Sequence, residues 1–250
     1  DNILRWQLHR NSEAPRSEAD HGRRTTGESS FKACSYSRKQ EHPIILIRLK
    51  SNTQASRCRI IYEVLYVTSK YGGYAGKILR VNLTSGKAHK SQLQKTLAEN
   101  YLGGAGFCSR ILYDRIKVGV DPLGVDNVLI FSTGPLTGTL FPQASRYVVA
   151  AKSPLTGIWG ESHAAGHWGP ELKFAGYDLM IFEGKSSHPV YLWIDDDHVQ
   201  LRGASHLWGK TTYEVDDLLK EEIYDDHVKI ASIGQAGENL VRYASIMNDR

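Results

Sequence analysis

The sequence contains one pattern twice: a short apolar run followed by Pro-Leu-Thr-Gly, at residues 128–138 and again at residues 147–157. Proline fixes one backbone dihedral angle, and glycine adopts conformations that other residues avoid, so each copy predicts a buried strand that ends in a defined turn. We expect the two turns to be equivalent and to lie at one edge of a sheet. Loops held in this way often line a functional site.

Glycine content and charge divide the chain near residue 71. Only Gly22 and Gly27, of the 23 glycines, precede that position. Residues 1–70 contain 13 Lys and Arg against 7 Asp and Glu, whereas residues 71–250 contain 18 against 20. The net charge of +4 therefore belongs to the leading segment, so it does not indicate that the folded part binds nucleic acid.

The leading segment, residues 1–70, is expected to be disordered or not native to the fold. Residues 1–42 mix Arg, Ser, Glu and His without helical or strand periodicity. The apolar runs at residues 43–49 and 60–67 are candidate strands. A misplaced gene start or a fusion explains such a leader, and a basic leader that binds an acidic partner is the alternative. We place the domain itself at residues 71–250.

Composition argues against several classes of protein. No apolar run approaches the roughly 20 residues of a membrane-spanning helix, and the N-terminus lacks the pattern of a signal peptide, so neither a membrane partner nor export is expected. Cys34, Cys58 and Cys108 are odd in number and widely spaced, which argues against a disulfide framework or a cysteine metal clip and fits a reducing cytoplasm. We expect Cys108, within a predicted helix, to be a small buried residue and not a nucleophile.

Turn and periodicity signals after residue 71 predict a mixed α+β class with mainly antiparallel strand pairing. The predicted hairpins are 77–83 with 88–93 and 189–195 with 198–202, the predicted helices are 94–101, 105–116, 169–177 and 211–223, and further strands are predicted at 178–183 and 227–233. Pro170 is expected in the first turn of its helix and Gly176 at its end.

Two motifs resemble binding sites without having the required context. The glycine loop at residues 103–106 lacks the spacing and the preceding strand of a dinucleotide site. His163 and His167 are four residues apart with Glu161 nearby, a spacing that on a helix would place both imidazoles on one face. The residues between them are Ala, Ala and Gly, which indicate a loop. Surface or hydrogen-bonded histidines are therefore expected here instead of a zinc site.

Arg146 is the candidate anion-binding residue. It stands at the start of the second apolar run and close to the first Pro-Leu-Thr-Gly turn. A guanidinium at such a position can bind a phosphate or a carboxylate through two parallel hydrogen bonds. A structural ion pair is the alternative role.

Six motifs occur together after residue 71. They are Gly-Lys-Ile-Leu-Arg-Val-Asn-Leu at 76–83, Gly-Pro-Leu-Thr-Gly-Thr at 134–139, Lys-Ser-Pro-Leu-Thr-Gly at 152–157, Gly-Pro-Glu-Leu-Lys-Phe-Ala-Gly-Tyr-Asp at 169–178, Ala-Ser-His-Leu-Trp-Gly-Lys at 204–210 and Gly-Glu-Asn-Leu-Val at 237–241. In this order and spacing they resemble the N-terminal domain of the aldehyde:ferredoxin oxidoreductases. The resemblance covers essentially all of residues 71–250 and none of residues 1–70.

The resemblance implies two mainly antiparallel β-sheets with short helices that form a saddle for a tungsten (or molybdenum) bis-pyranopterin cofactor. It also implies a magnesium ion between the two pterin phosphates and a four-iron four-sulfur cluster that passes electrons to ferredoxin. The implied reaction oxidises an aldehyde to its carboxylate, with water supplying the oxygen. In enzymes of this kind the cofactor carries the redox chemistry, and the protein supplies orientation and electrostatics.

The resemblance assigns cofactor contacts to three positions. Arg146 matches an arginine that contacts the pterin and lies toward the cluster, in agreement with the anion-binding role expected above. His163 stands where many members have an asparagine whose backbone carbonyl helps to hold magnesium. Ala165 stands where many members have a glycine whose amide faces the pterin, and here a methyl group is added.

The remaining parts of such an enzyme are expected outside this sequence. The resemblance places the cluster cysteines, the second pterin-binding motifs and the substrate-cavity residues in C-terminal domains beyond residue 250. No catalytic residue is therefore assigned, and the fragment alone is expected to be inactive. A homodimer or a separate C-terminal subunit is the expected partner. The alternatives are a noncatalytic pterin-binding or assembly subunit, and a relative acting on another substrate such as an aromatic thioester.

Overall fold

The structure, a computed structural model, describes residues 44–48 and 72–249. All of these residues belong to one structural unit, Arg38–Arg250. In this part of the chain no helix is both long enough and apolar enough to span a membrane.

The described residues form eleven strands, five α-helices and one short 3-10 helix, Ser205–Leu207. The strands are β1 (Ile44–Arg48), β2 (Lys77–Asn82), β3 (Lys87–Gln92), β4 (Val128–Thr133), β5 (Tyr147–Lys152), β6 (Trp159–Ala164), β7 (Leu179–Glu183), β8 (Val190–Asp195), β9 (His198–Gly203), β10 (Lys229–Ser232) and β11 (Met247–Asn248). The helices are α1 (Lys95–Tyr101), α2 (Ala105–Arg115), α3 (Trp168–Phe174), α4 (Thr212–Ile223) and α5 (Gln235–Glu238).

These strands form two sheets. The six-stranded sheet has the order β3-β2-β7-β4-β5-β6, and the five-stranded sheet has the order β11-β10-β1-β8-β9. Strand β2 is parallel to β7 and β1 is parallel to β8, while the other described pairs are antiparallel. The predicted class, α+β with two mainly antiparallel sheets and short helices, is confirmed.

The main apolar core contains buried side chains of both sheets, among them Leu79, Phe131 and Met180 of the six-stranded sheet and Leu192 of the five-stranded sheet. The other face of the six-stranded sheet packs against α1 and α2, and the other face of the five-stranded sheet packs against α4. The central strands are therefore buried on both faces. This explains why β7 reads as the continuous apolar run Leu-Met-Ile-Phe and does not alternate with polar residues.

Helix α3 joins the six-stranded sheet to the start of the domain through a buried ion pair. The ammonium of Lys173 lies 2.5 Å from the carboxylate of Asp178, and both side chains are 0% exposed. The same carboxylate accepts hydrogen bonds from the backbone N–H groups of Ala75 and Gly76 at 3.0 and 2.6 Å. Because every carboxylate oxygen is paired, the charge of Asp178 is tolerated in the core.

Helix α3 also starts and ends as predicted. Pro170 lies in its first turn, where a missing N–H costs no intrahelical hydrogen bond. Gly176 follows its end with a φ of +94°, which favours glycine.

The prediction that the two Pro-Leu-Thr-Gly turns lie at one edge of a sheet is wrong. Strands β4 and β5 are neighbours but antiparallel, with Thr133 opposite Tyr147 and Ile130 opposite Ala150. The turn after β4 therefore lies where β5 begins, and the turn after β5 lies at the opposite end of the pair. The sequence repeat indicated two similar strand–turn units correctly, but it carried no information about strand direction.

Strand β1 comes from the leading segment that was expected not to belong to the fold. The candidate strand at residues 43–49 is confirmed as Ile44–Arg48, which lies between β8 and β10. The expected start of the domain at residue 71 stays a prediction. The second candidate strand, residues 60–67, lies outside the described residues, as does the rest of residues 1–70, so the expected disorder there stays a prediction.

Cys108 lies on α2 in the core between that helix and the six-stranded sheet, with 0% of its side chain exposed. Burial raises the pKa of its thiol to about 12, and the charge of Glu161 acts in the same direction. A thiol that stays protonated is a poor nucleophile, so the expected structural role is confirmed.

Candidate functional site

One end of the β5–β6 pair brings together the three residues that the sequence assigned to the site. In the ladder, Tyr147 lies opposite Ala164 and Val148 lies opposite His163. Arg146 directly precedes β5, and Ala165 directly follows β6. These two residues therefore lie side by side where the pair ends, with His163 two positions along the strand from Ala165.

Strand β6 itself was not predicted from the sequence. Residues 163–167 were interpreted as a loop, but His163 and Ala164 complete β6, and only the residues after Ala164 form the connection to α3. Strand β6 is the last strand of the six-stranded sheet, and most of its side chains are at least partly exposed. The apolar pattern that reveals a buried strand is therefore absent.

The two histidines do not share a helix. His163 lies on β6 with its Nε2 atom 3.4 Å from Oε1 of Glu161, and His167 directly precedes α3. Within residues 72–249 the structure has no group of three or more His, Cys, Asp and Glu side chains arranged to hold a metal ion. The role that the resemblance assigns to the His163 backbone carbonyl stays a prediction.

Arg146 is exposed, and its side chain has no hydrogen bond or ion pair with another described residue. Its backbone is held: the hydroxyl of Thr137 donates a hydrogen bond of 2.8 Å to the carbonyl oxygen of Arg146. The expected closeness of Arg146 to the first Pro-Leu-Thr-Gly turn is thus confirmed. A fixed main chain that carries an unpaired guanidinium suits the binding of an anion, because the guanidinium need not leave another partner.

The connection between β6 and α3 is held by two residues near residue 250. The side-chain amide of Asn248 accepts a hydrogen bond of 2.9 Å from the Tyr147 hydroxyl and donates one of 2.9 Å to the Ala165 carbonyl. The carboxylate of Asp249 accepts hydrogen bonds from the backbone N–H groups of His167 and Trp168. Together they join the start of β5 to the end of β6.

Gly166 is required by this arrangement. Its φ is +96°, and a Cβ atom added to it would collide with the Asp249 carboxylate. The second carboxylate oxygen of Asp249, Oδ1, is buried and has no hydrogen-bond partner among the described residues. A buried carboxylate oxygen is costly without a donor, so this atom can accept one from a bound group.

Tyr147 contributes a hydroxyl that stays protonated. Burial raises the pKa of Tyr147 well above its ordinary value, and the charge of Asp249 raises it further. The hydroxyl therefore donates to Asn248 throughout the neutral pH range.

Sequence reasoning located Arg146, His163 and Ala165, but it missed Tyr147, Asn248 and Asp249 as parts of the same region. The hydrogen bond between Asn248 and Ala165 spans 83 residues of sequence. No local spacing reports such a contact. The only signal was an Asn-Asp pair after an apolar position, which is common in loops.

The residues present fit one edge of an anionic, phosphate-bearing cofactor. Arg146 offers an unpaired cationic donor, and the β6–α3 connection offers a fixed backbone next to it. The Ala165 side chain is exposed and occupies no buried space, so its methyl group does not disturb the protein on its own. Arg146 supplies a cationic donor of the kind that anion sites use, whereas a metal held by side chains would need carboxylates or imidazoles grouped together.

Comparison with known proteins finds relatives from one family. The profile of the family described as "Aldehyde ferredoxin oxidoreductase, N-terminal domain" matches residues 78–250. The tungsten-containing aldehyde ferredoxin oxidoreductase of Pyrococcus abyssi is 51% identical over 177 residues, which cover 71% of this chain and 29% of the relative. The aliphatic sulfonate oxidoreductase, WOR-like subunit, of Pyrococcus furiosus is 36% identical over 189 residues, which cover 70% of this chain and 30% of the relative.

A solved structure is similar as well. The active-site complex BamBC of benzoyl coenzyme A reductase, in complex with 1,5-dienoyl-CoA, matches with a TM-score of 0.70 and 43% sequence identity. The match covers 71% of this chain and 27% of that chain. The chain thus spans less than a third of the length of these relatives. The fold, the matched range and the identities agree: the chain belongs to the aldehyde ferredoxin oxidoreductase family, through its N-terminal domain.

Proposed function

We propose that this chain is the pterin-binding N-terminal part of a tungsten, or molybdenum, bis-pterin oxidoreductase that oxidises aldehydes to carboxylates with ferredoxin as the electron acceptor. The observation that carries the proposal is the unpaired guanidinium of Arg146 beside a backbone connection fixed by Asn248 and Asp249, in a member of this family. The chain alone supplies the binding surface and no complete active site.

The roles proposed for the chain's own residues rest on their surroundings and on the family resemblance. Arg146 binds a negatively charged group of the cofactor, because its guanidinium is exposed and without a partner among the described residues. As the family resemblance implies, the backbone carbonyl of His163 would help to hold magnesium, and the backbone at Ala165 would contact the pterin. Asn248 holds that backbone through its hydrogen bond to the Ala165 carbonyl.

When bound, the metal-pterin cofactor and a four-iron four-sulfur cluster with ligands outside this chain would supply two-electron redox chemistry and electron transfer to ferredoxin. The protein's contribution here is orientation of the cofactor. The cofactor contacts come from the end of a strand pair in a large sheet, and such positions are more rigid than free loops.

The proposed partners are ferredoxin, the aldehyde, and either a second copy of the chain or a separate C-terminal subunit. We place the enzyme in the cytoplasm, because the few, widely spaced cysteines suit a reducing compartment and the described Cys108 is a buried free thiol.

The proposal is tested on the tagged chain purified anaerobically from its native cells. We expect tungsten or molybdenum, pterin and iron in the purified material, and aldehyde-dependent reduction of ferredoxin. Arg146→Ala should lower the pterin and metal content, since one charged contact is lost. Arg242→Ala is the matched control, because Arg242 is also exposed and forms no ion pair with another described residue. Purified material without pterin, or equal cofactor content in Arg146→Ala and the unaltered chain, would contradict the proposal.

A second candidate function is reduction or oxidation of an aromatic thioester. The similarity to the BamBC complex of benzoyl coenzyme A reductase, with a TM-score of 0.70 and 43% identity, supports it. Substrate choice is made outside this chain, so the same purified material decides between the two. Activity with benzoyl-CoA or its dienoyl product, without activity on benzaldehyde, favours the thioester reaction. Cofactor binding without either activity favours a noncatalytic binding or assembly subunit.

A further inference from the structure

A basic cluster lies at the end of the six-stranded sheet that is remote from Arg146. Arg80 of β2 lies opposite Ile181 of β7, and Glu183 stands two residues further along β7, on the same face of the sheet. Glu183 in turn lies opposite Val128, the first residue of β4, whereas Arg146 lies where β4 ends. The two places are therefore about 17 Å apart along the strand direction.

Helix α2 brings a second arginine to the same place. Ile111 of α2 packs in the core between that helix and the six-stranded sheet. Arg115 follows Ile111 by four residues, so it lies on the same face of the helix, one turn nearer its end. The guanidinium of Arg115 forms an ion pair with the Glu183 carboxylate. On the neighbouring strand β3, His89 lies directly opposite Arg80. Two guanidiniums and an imidazole are therefore grouped with the Glu183 carboxylate.

Arg80 has a buried donor without an acceptor. Its Nη1 atom is buried and has no hydrogen-bond partner among the described residues, although the residue as a whole is partly exposed. Burial lowers the pKa of Arg80, and the positive charge of Arg115 lowers it further, while Glu183 acts in the opposite direction. A buried cationic donor without an acceptor is unfavourable, so an additional negative charge would stabilise this cluster.

The arrangement of the two guanidiniums favours one kind of anion. Glu183 balances the charge of Arg115, with which it is paired, and leaves that of Arg80. The guanidiniums come from different elements, β2 and α2, so they approach an anion from two directions. A planar carboxylate fits one guanidinium through two parallel hydrogen bonds, whereas the tetrahedrally arranged oxygens of a phosphate reach both.

We propose that Arg80 and Arg115 form a binding site for a phosphate group, at the end of the six-stranded sheet opposite Arg146. The phosphate oxygens accept hydrogen bonds from both guanidiniums, and His89 stands beside them as a further donor. Phosphate and the Glu183 carboxylate compete for Arg115, whose side chain is 39% exposed and has room to turn. The inference does not depend on the proposed reaction, because none of these residues belongs to the candidate cofactor site.

The first test measures the binding of inorganic phosphate to the full chain by calorimetric titration. Every protein in the series carries Arg146→Ala, which removes the other candidate anion-binding residue. We expect Arg115→Gln to weaken phosphate binding about tenfold, because one of two charged contacts is lost. Arg110→Gln is the matched control, since Arg110 also lies on α2, is 42% exposed and is paired with an acid, Asp114. Unchanged binding in Arg115→Gln, or an equal loss in Arg110→Gln, would overturn the proposal.

Glu183→Gln is expected to change the affinity in the opposite direction. The substitution removes the carboxylate that competes for Arg115, so phosphate should bind severalfold more tightly. If the pair of Arg115 and Glu183 served only to stabilise the fold, its loss would bring no gain in affinity. Phosphate binding that is unchanged or weaker in Glu183→Gln would therefore contradict the proposal.

Arg80→Met separates binding from folding. Methionine keeps an unbranched apolar stem and removes a buried donor that has no acceptor, so the variant should melt no lower than its parent in phosphate-free buffer. Phosphate at about ten times its Kd should raise the melting temperature of the parent by about 3 °C, and that of Arg80→Met by much less. If phosphate stabilises both proteins equally, Arg80 does not bind it and the proposal is wrong.

Two further titrations of the same parent protein define the ligand. Glycerol 3-phosphate that binds as tightly as inorganic phosphate would indicate a site for the end of a phosphate ester, and binding tenfold weaker would indicate a site for the free ion; both results support a phosphate site. Acetate should bind at least tenfold more weakly than phosphate, because a carboxylate reaches only one guanidinium. Acetate binding of equal strength would contradict the assignment. None of these measurements uses cofactor content, so their failure is independent of the function proposed above.

Discussion

The two Pro-Leu-Thr-Gly turns have the same sequence but differ in how the rest of the molecule holds them. In the first, Thr137 is 4% exposed; its hydroxyl accepts a hydrogen bond from the Gly134 N–H at 3.0 Å and donates one to the Arg146 carbonyl at 2.8 Å. The N–H of Gly138 donates to the Ala144 carbonyl at 2.8 Å. The first turn is thus joined to the chain that leads into β5 and to the site.

The second turn is held mainly by its own residues. The hydroxyl of Ser153 accepts hydrogen bonds of 3.3 Å from the N–H groups of Leu155 and Thr156, and the Gly157 N–H donates to the Ser153 carbonyl at 2.8 Å. The side chains of Leu155 and Thr156 are exposed. Local sequence therefore specifies both turns, but tertiary contacts decide that only the first one fixes the backbone of Arg146.

Replacing the glycine of each turn by alanine is expected to give the largest difference in the free energy of unfolding. In Gly138→Ala, a φ of +80° strains the backbone, and the new Cβ would lie 2.8 Å from the Phe174 ring. We therefore expect the free energy of unfolding to fall by about 3 kcal/mol. In Gly157→Ala, a φ of +74° strains the backbone, but no neighbouring atom lies within 4 Å of the new Cβ. The free energy of unfolding should fall by about 1 kcal/mol. Urea unfolding of the two variants measures both values. Equal losses would mean that the contact with Phe174 does not distinguish the turns.

A smaller difference is expected for the two threonines. Thr137→Val keeps the shape but leaves the partly buried Gly134 N–H and Arg146 carbonyl without their partner, and should lower the free energy of unfolding by about 2 kcal/mol. Thr156→Val removes an exposed hydroxyl that accepts one long hydrogen bond, of 3.4 Å from the Ile158 N–H, and should cost less than about 0.5 kcal/mol. Thermal and urea unfolding check both variants. A Thr156→Val variant as destabilised as Thr137→Val would overturn the distinction.

The same contrast shows which features the sequence could predict. Strands β4 and β5, helix α3 with Pro170, and the hairpin of β2 and β3 were all predicted, because apolar spacing and turn residues act over a few neighbouring positions. The direction of β5 relative to β4 was not. It depends on where residues 134–146 lead the chain, and that path depends on contacts such as the one between Gly138 and Ala144.

The residues of the candidate site also fall into those that the sequence could predict and those that it could not. Arg146 was found because a charged residue beside a turn and an apolar strand is a local signal, and its anion-binding role stays a prediction. Strand β6 was missed because an edge strand with exposed side chains lacks apolar alternation. Asn248 and Asp249 were missed because they act across more than 80 residues of sequence. Sequence reasoning therefore recovers the residues that a strand end presents, but not the distant residues that hold them.

Replacing the proline of each turn by alanine should give the smallest difference in the free energy of unfolding, because both prolines have similar local roles. Replacement by alanine frees the unfolded chain at both positions and should cost about 0.5 kcal/mol in each turn. Pro135 also lies close to Gly73 and Gly103, so Pro135→Ala loses ring contacts as well. Pro154 instead lines a cavity of about 250 Å³ between the sheets, where fewer contacts are lost. We therefore expect Pro135→Ala to be less stable than Pro154→Ala by only about 0.5 kcal/mol. Urea unfolding in parallel resolves such a difference, and a reversed order would place the stronger tertiary contacts at the second turn.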